Sequence, residues 1–441
     1  MTQAEALKIL KTGGNVFLTG EPGSGKTHTI NTYVKYLREQ GVEPAITAST
    51  GIAATHLNGL TIHSWSGIGI KEHLTSYDLD KLEQNERVSR RVRGAKVLII
   101  DEISMLSAAT LGMVERVCRE LRSNDDVFGG LQVILVGDFF QLPPVGKGGV
   151  PADFAFRSPV WLRLNLLTCY LAEQHRQEDK LFLTILSALR SGSLLPEHRD
   201  GLKTRLLSGS QPVGVTKLFS HNANVDQINE LELNKSSNPT REFKMTSKGP
   251  EHLVDGLKRS CLSPERLQLK VGAKVMFTKN NPEGKFVNGT VGEVASFNKT
   301  SGYPVVKIKG GKSVVAEPAE WVVESEGKIL AAVSQVPLRL AWAITVHKSQ
   351  GMSLSGAVVD LSQAFEYGQG YVALSRVRSL DGLHLLGFNE RALEVHPQVL
   401  SEDESLRAQS AKVKAAFRKL PADHLKRLHT NFIKTIKSHG R

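Results

Sequence analysis

The sequence predicts an α/β protein with two parallel-sheet domains, the second interrupted by a small all-β barrel. Three observations carry that prediction. A glycine-rich loop, Gly20-Glu21-Pro22-Gly23-Ser24-Gly25-Lys26-Thr27, separates the apolar run Val16-Phe17-Leu18 from a helix-compatible segment. Apolar strand patterns of the kind buried in parallel sheets alternate with helical ones, at 97–100, 131–136 and 166–170, and again at 357–361 and 383–388. Between the two series, 241–312 has a different texture, with short β-patterns at 271–277, 291–297 and 305–308 joined by turns such as Asn288-Gly289.

The loop comes first because the rest depends on it. It matches G-x-x-x-x-G-K-[ST], in which glycines turn backbone N–H groups inward around a triphosphate and the next helix adds its positive dipole end. Gly20, Pro22, Gly23, Ser24 and Gly25 shape the cradle, with His28 just behind it. Lys26 would reach the β- and γ-phosphates, and the Thr27 hydroxyl would hold Mg²⁺. ATP and Mg²⁺ are therefore the expected ligands. Gln3, on a short helical pattern before the loop, is placed to read an adenine edge or to be an ordinary solvated residue.

After the loop helix, 44–48 reads as a buried strand running into Ser49-Thr50-Gly51-Ile52-Ala53-Ala54, a small-residue turn suited to close approach of a phosphodiester. Next come Thr61-Ile62-His63-Ser64-Trp65 and a charge-mixed segment over about 71–93, read as a small helical insertion. The strand at 97–100 ends in Asp101-Glu102. Carboxylates at that strand end suit metal binding by Asp101 and activation of water by Glu102. Gln141 follows the 131–136 strand, where it can sense a γ-phosphate. Arg176, after the 166–170 strand, can act as an arginine finger. In the second series Asn222 follows a strand, His347 and Ser349 lie in Ala343-Ile344-Thr345-Val346-His347-Lys348-Ser349, and Arg376 lies in a helical pattern over 370–378. That half has no phosphate loop, so Arg376 is its candidate for supplying charge to a nucleotide bound elsewhere.

The chain has 441 residues, enough for two or three domains, with 40% apolar and 23% charged residues. No run approaches the roughly 18 apolar residues of a membrane helix. No targeting segment is visible at the start, which points to a bacterial cytoplasm or that of a virally infected host. Cys118, Cys169 and Cys261 lie far apart without metal-ligand spacing and read as reduced thiols. The net charge of +12 is concentrated: 241–312 carries +8, 412–441 carries +8, and the remainder is −4. Two basic segments beside a nucleotide-binding core favour a polyanionic partner. In the second, Leu425, Leu428, Phe432 and Ile436 make an apolar stripe after Pro421. That helix either packs on the core or contacts DNA.

With these residues assembled, the chain resembles the petite-integration-frequency DNA helicases of the 5′-to-3′ branch of helicase superfamily one. The matching stretches are 20–27, 48–54, 61–65, 101–105, 137–145, 173–177, 343–352 and 370–378. Residues 114–130, with Arg119-Glu120-Leu121-Arg122 and Phe128-Gly129-Gly130, resemble that family's signature. The resemblance implies two RecA-like domains, ATP between them and single-stranded DNA across them. Lys26, Glu102, Gln141, Arg176 and Arg376 are then catalytic, with Thr27 and Asp101 at the metal. Thr50, Gly51, His63, Asn222, His347 and Ser349 become strand contacts. Forked and G-quadruplex DNA join the expected partners, with a monomer in solution. The implied layout is 1–175 for the first domain with a wedge insertion at about 66–94, then 176–240 with 335–400 for the second. A Src-homology-three-type barrel spans 241–334 and a basic helical tail spans 401–441. A remodeller that hydrolyses ATP without separating strands stays open, as does a binding protein with a silent site.

Overall fold

The computed structural model describes residues 1–438 apart from 57–58, 70, 145–151, 174–178, 210–211, 213–214, 222, 280, 282, 284, 287, 289, 309, 326–327 and 351. Its chain divides into two units, Met1–Arg176 with His396–Arg441, and Gln177–Val395.

The first unit is built on six parallel strands: β1 (Val16–Gly20), β2 (Ala45–Ala48), β3 (Leu60–Thr61), β4 (Val97–Asp101), β5 (Gln132–Val136) and β6 (Leu167–Leu171). Their spatial order is β3-β2-β4-β5-β1-β6. β1 and β5 are buried along their whole length, which is why both read as unbroken apolar runs. Helices α1 (Gln3–Leu10) and α2 (Lys26–Glu39) flank β1. At the amino-terminal edge the buried Gln132 ties three elements together. Its amide donates to the carbonyls of Leu10 and Gly14, both at 2.9 Å, and its oxygen accepts from the Tyr33 hydroxyl at 2.8 Å.

Short helices α3 (Gly51–His56) and α4 (Ile62–Ser66) follow β2 and β3, and the insertion is a helical pair, α5 (Ser76–Gln84) and α6 (Glu86–Gly94). After β4 comes α7 (Ala108–Arg122). The basic tail forms two helices, Pro397–Arg418 and Ala422–Ser438, which return to the first unit. The Ala422–Ser438 helix buries Ile433, with Phe432 and Ile436 packed beside it, against Ala6, Ile9 and Leu10 of α1. The apolar stripe thus faces the core, while Lys426, Arg427, Lys434 and Lys437 stay exposed.

The second unit has a four-stranded parallel sheet in the order Ala343–Thr345, Thr216–Phe219, Ala357–Leu361, Leu383–Phe388. Strands Lys274–Phe277, Val291–Phe297 and Pro304–Ile308 belong to a five-stranded antiparallel sheet with its own core, including Val275, Phe277, Val294 and Val306. This segment is not purely β. Helix Glu251–Ser260 starts after Pro250 and buries Val254 and Leu257, four and seven residues beyond it, on one face. The helical pattern expected over 370–378 is also shorter: the helix is Gln369–Leu374. Beyond it the chain pairs with Leu354, whose N–H donates to the Arg376 carbonyl at 2.8 Å and whose carbonyl accepts from Arg378 at 3.1 Å.

Candidate nucleotide and nucleic-acid site

In a parallel sheet the carboxyl ends of the strands form one edge, where ligands bind. β1 ends in the phosphate loop, β4 in Asp101, and β5 leads to Gln141. β2 leads to Thr50 and β3 to His63. One strand, β5, separates β1 from β4, which sets their axes about 10 Å apart. That gap suits a triphosphate with its metal.

The loop's glycines are needed as glycines. Gly20, Gly23 and Gly25 have φ of +146°, +89° and +88°. A Cβ on Gly20 would lie 2.7 Å from the Leu171 carbonyl, and one on Gly25 would collide with the Gln3 amide. Gly25 is the N-cap of α2 and offers no capping side chain, so the positive end of the α2 dipole sits at the loop. Pro22 is buried, and Ser24 is buried with its hydroxyl unbonded among the described residues, whereas Thr27 and His28 are exposed. The Lys26 ammonium donates to the Gly20 and Glu21 carbonyls at 2.7 and 3.1 Å, curled over the loop. A buried hydroxyl without a partner among the described residues, a helix start without a side-chain cap and a lysine held on the loop fit a nucleotide phosphate. Gln3 reaches the same loop: its amide donates to the Ser24 carbonyl at 3.3 Å and its backbone N–H to Glu173 at 2.7 Å.

Asp101 is half-buried, and its carboxylate accepts from the Glu102 N–H at 2.9 Å. Burial and the neighbouring Glu102 charge push the Asp101 carboxyl above its usual range, against the pull of Lys26. A divalent cation would relieve that condition, so Asp101 and Thr27 fit a Mg²⁺ site. Glu102 has φ +51° and ψ +46°, a left-handed conformation rare for a non-glycine residue. Three contacts hold it there. Its carbonyl accepts from the Ser49 hydroxyl at 2.7 Å and from the Met105 N–H at 3.1 Å, and the Ser49 N–H donates to the Asp101 carbonyl at 3.0 Å. Gln141 is buried in a turn closed by its N–H donating to the Asp138 carbonyl at 3.0 Å.

Thr50 and Gly51 begin α3, and the Thr50 hydroxyl accepts from the Ala53 N–H at 3.3 Å. Pairing of Ala48 with Thr61 brings His63 to the neighbouring strand end. His63 is half-buried, and burial holds its imidazole below the ordinary range.

Arg122 is a residue whose role sequence reasoning missed, although it lies in the signature stretch. Its guanidinium donates to the carbonyls of Val92, Arg93 and Ala95 at the end of α6, at 3.0, 2.9 and 2.8 Å, and to Gly129 at 2.7 Å. It satisfies a helix end's orphan carbonyls and pins the insertion to α7. Phe128 and Gly129, at φ +53° and +61°, make the turn that delivers the fourth carbonyl; a Cβ on Gly129 would lie 2.6 Å from the Cys118 carbonyl. The sequence signals were the signature resemblance over Arg119-Glu120-Leu121-Arg122 and the tight Phe128-Gly129-Gly130 turn, neither of which gave Arg122 its role.

In the second unit, Arg376 is buried, with Nε donating to the Val372 carbonyl at 2.9 Å and a terminal nitrogen to the Ser375 hydroxyl at 2.8 Å. His347 and Ser349 form a single turn after strand Ala343–Thr345. His347 is half-buried; burial, and then His221, hold its imidazole below the usual range. Ser349 is fully buried, its hydroxyl donating to the Val346 carbonyl at 2.7 Å, so this conformation turns that side chain away from any strand. Gln369, absent from the expected set, joins the end of strand Thr216–Phe219 to the Phe365 loop. Its amide donates to the Ser220 carbonyl and its oxygen accepts from the Phe365 N–H. Arg176 and Asn222 lie outside the described residues. Cys118, Cys169 and Cys261 are all free, and burial pushes the Cys169 thiol up to about 12.

The sequence and the fold match known proteins. A family model described as PIF1-like helicase matches residues 2–196, and one for the Pif1 helicase 2B domain matches 252–297. A Psychrobacter ATP-dependent DNA helicase Pif1 is 43% identical over 98% of this chain and 75% of its own length. The chain belongs to the Pif1 helicase family. Among solved structures, a Bacteroides Pif1 in complex with ADP-AlF4 is 30% identical with a TM-score of 0.79, covering 92% of this chain and 96% of its own. A Bacteroides Pif1 bound to single-stranded DNA is 29% identical with a TM-score of 0.61, over 91% and 96%. The 2B match falls on the β-rich insertion of the second unit.

Proposed function

We infer that the protein is an ATP-dependent DNA helicase, a DNA-stimulated ATPase that couples hydrolysis to strand separation. The observation that carries this is the convergence of Lys26, Thr27, Asp101, Glu102 and Gln141 on one edge of the β1–β5–β4 sheet, in a chain of the Pif1 family. Lys26 leaves the loop carbonyls for the β- and γ-phosphates. Glu102, held by its strained backbone, orients and deprotonates the attacking water, and Gln141 senses the γ-phosphate. Thr27 and Asp101 would hold Mg²⁺, which would supply positive charge against the triphosphate. Arg176 and Arg376 are the proposed transition-state cations, and Gln3 is the proposed adenine reader. Arg376 must give up its bonds to Val372 and Ser375 to act.

Single-stranded DNA is the proposed track, contacted from the first unit by Thr50, Gly51 and His63 and from the second by Asn222, His347 and the backbone around Ser349. Movement runs 5′-to-3′, and forked and G-quadruplex DNA are the proposed substrates of a monomeric, cytoplasmic enzyme. No helix among the described residues is long and apolar enough to cross a membrane. Lys26→Ala tests the reading. Hydrolysis should fall about 100-fold or more while affinity for a single-stranded oligonucleotide stays within about twofold. An equal loss of both would show that Lys26 holds the fold or the DNA instead.

A further inference from the structure

Helix α1 carries Gln3 over the phosphate loop, yet it has only eight residues. A helix that short has little stability of its own, so its position is set by what it packs against. One side is the sheet and α2. The other is the C-terminal tail. Ile433 is buried in one apolar cluster with Ala6, Ile9 and Leu10, and Phe432 lies over Gly13, at the end of the turn that follows α1.

Polar contacts fix the register along the helix. Arg418 grips Glu5 with Nε at 2.9 Å and a terminal nitrogen at 2.7 Å, Lys414 adds a charge at 3.9 Å, and the His429 ring nitrogen lies 2.9 Å from the Lys8 carbonyl. Glu5 also accepts from the Thr2 N–H at 2.9 Å, closing the cap that starts α1 next to Gln3. The tail reaches Gln3 from behind as well. Ser410 of the first tail helix accepts from the Tyr170 N–H at 3.0 Å on edge strand β6, which leads to Glu173, the acceptor of the Gln3 N–H.

We propose that the C-terminal helical pair is a working part of the nucleotide site, with Arg418 as the positioning residue that holds α1 so that Gln3 meets the base. This rests on Gln3 reading adenine. The tail then acts on base recognition and not on the chemical step, which lies with Lys26 and Glu102 at other strand ends.

The test uses the full chain and steady-state hydrolysis of ATP and GTP with saturating single-stranded DNA. Arg418→Glu should raise KM for ATP about fivefold, leave KM for GTP and both kcat values near wild type, and so erode the preference for ATP. Arg418→Lys should restore most of it. Should Arg418→Glu fold poorly, His429→Ala removes only the bond to Lys8 and should shift KM for ATP in the same direction by a smaller factor. Gln3→Ala is the reference. If it leaves the ATP-to-GTP preference unchanged, the adenine reading fails and the proposal falls with it. If Gln3→Ala erodes the preference but Arg418→Glu and His429→Ala do not, the tail only covers the core and the proposal alone is overturned.

Discussion

Replacing Arg122 by alanine removes one guanidinium and four hydrogen bonds. The carbonyls of Val92, Arg93 and Ala95 lose their shared donor at the carboxyl end of α6, and the Gly129 turn loses its tie to α7. Hydrogen bonds from a charged donor contribute about 1.5–3 kcal/mol each when taken singly. Four on one side chain do not add, and burial of the charge, which holds the Arg122 pKa below its ordinary value, offsets part of the gain. A net loss of about 3 kcal/mol is expected. With a urea slope of roughly 3 kcal/mol/M for a unit of this size, the midpoint of the transition reported by Trp65 and Trp161 should fall by about 1 M. Trp65 is buried in α4, beside α6, and should respond first. Arg122→Lys should recover little, since one ammonium cannot span four carbonyls. A midpoint within about 0.2 M of wild type for Arg122→Ala would refute the claim that this side chain braces the insertion.

Other outcomes follow from the site. Gly25→Ala places a methyl on the Gln3 amide in a left-handed backbone, and should weaken binding of a fluorescent ATP analogue by about tenfold or more. Glu102→Gln keeps the strained backbone and removes the base. Hydrolysis should drop by about 100-fold or more with nucleotide affinity retained, as read by single-turnover kinetics. Burial holds the His63 and His347 imidazoles below the ordinary histidine value of about 6.5, so the unfolded chain takes up protons first as the pH falls. The stability these neutral rings contribute is fully present above about 6.5 and lost progressively below it. Urea midpoints at pH 7.5 and 5.5 should therefore differ less in a His63→Gln/His347→Gln variant than in wild type.

Much of the candidate site's layout was legible because its sequence pattern is local. Eight consecutive residues specify the loop between β1 and α2, and the apolar run before Asp101-Glu102 reads as a buried strand, which the structure forms as β4 in the same sheet. What escaped depends on distance or on turn geometry. The amphipathic stripe from Leu425 to Ile436 said that the tail had a partner. Nothing local said that the partner was α1, because Glu5 and Arg418 meet across more than 400 residues. Ser349 was a strand contact only by the family resemblance; a single helical turn folds its hydroxyl back onto the Val346 carbonyl, and no residue pattern forecasts that rotation. Helix Glu251–Ser260 was hidden by the charge of its surroundings, although Val254 and Leu257 carry a helical spacing.

The central claim is that this site drives directional strand separation. The most direct measurement follows unwinding of two matched duplexes, one with a 5′ single-stranded tail and one with a 3′ tail, with ATP and Mg²⁺ and with Lys26→Ala in parallel. The account predicts opening of the 5′-tailed duplex alone, by the wild-type chain alone. Opening only from the 3′ tail, or DNA-stimulated hydrolysis that opens neither duplex, would contradict it.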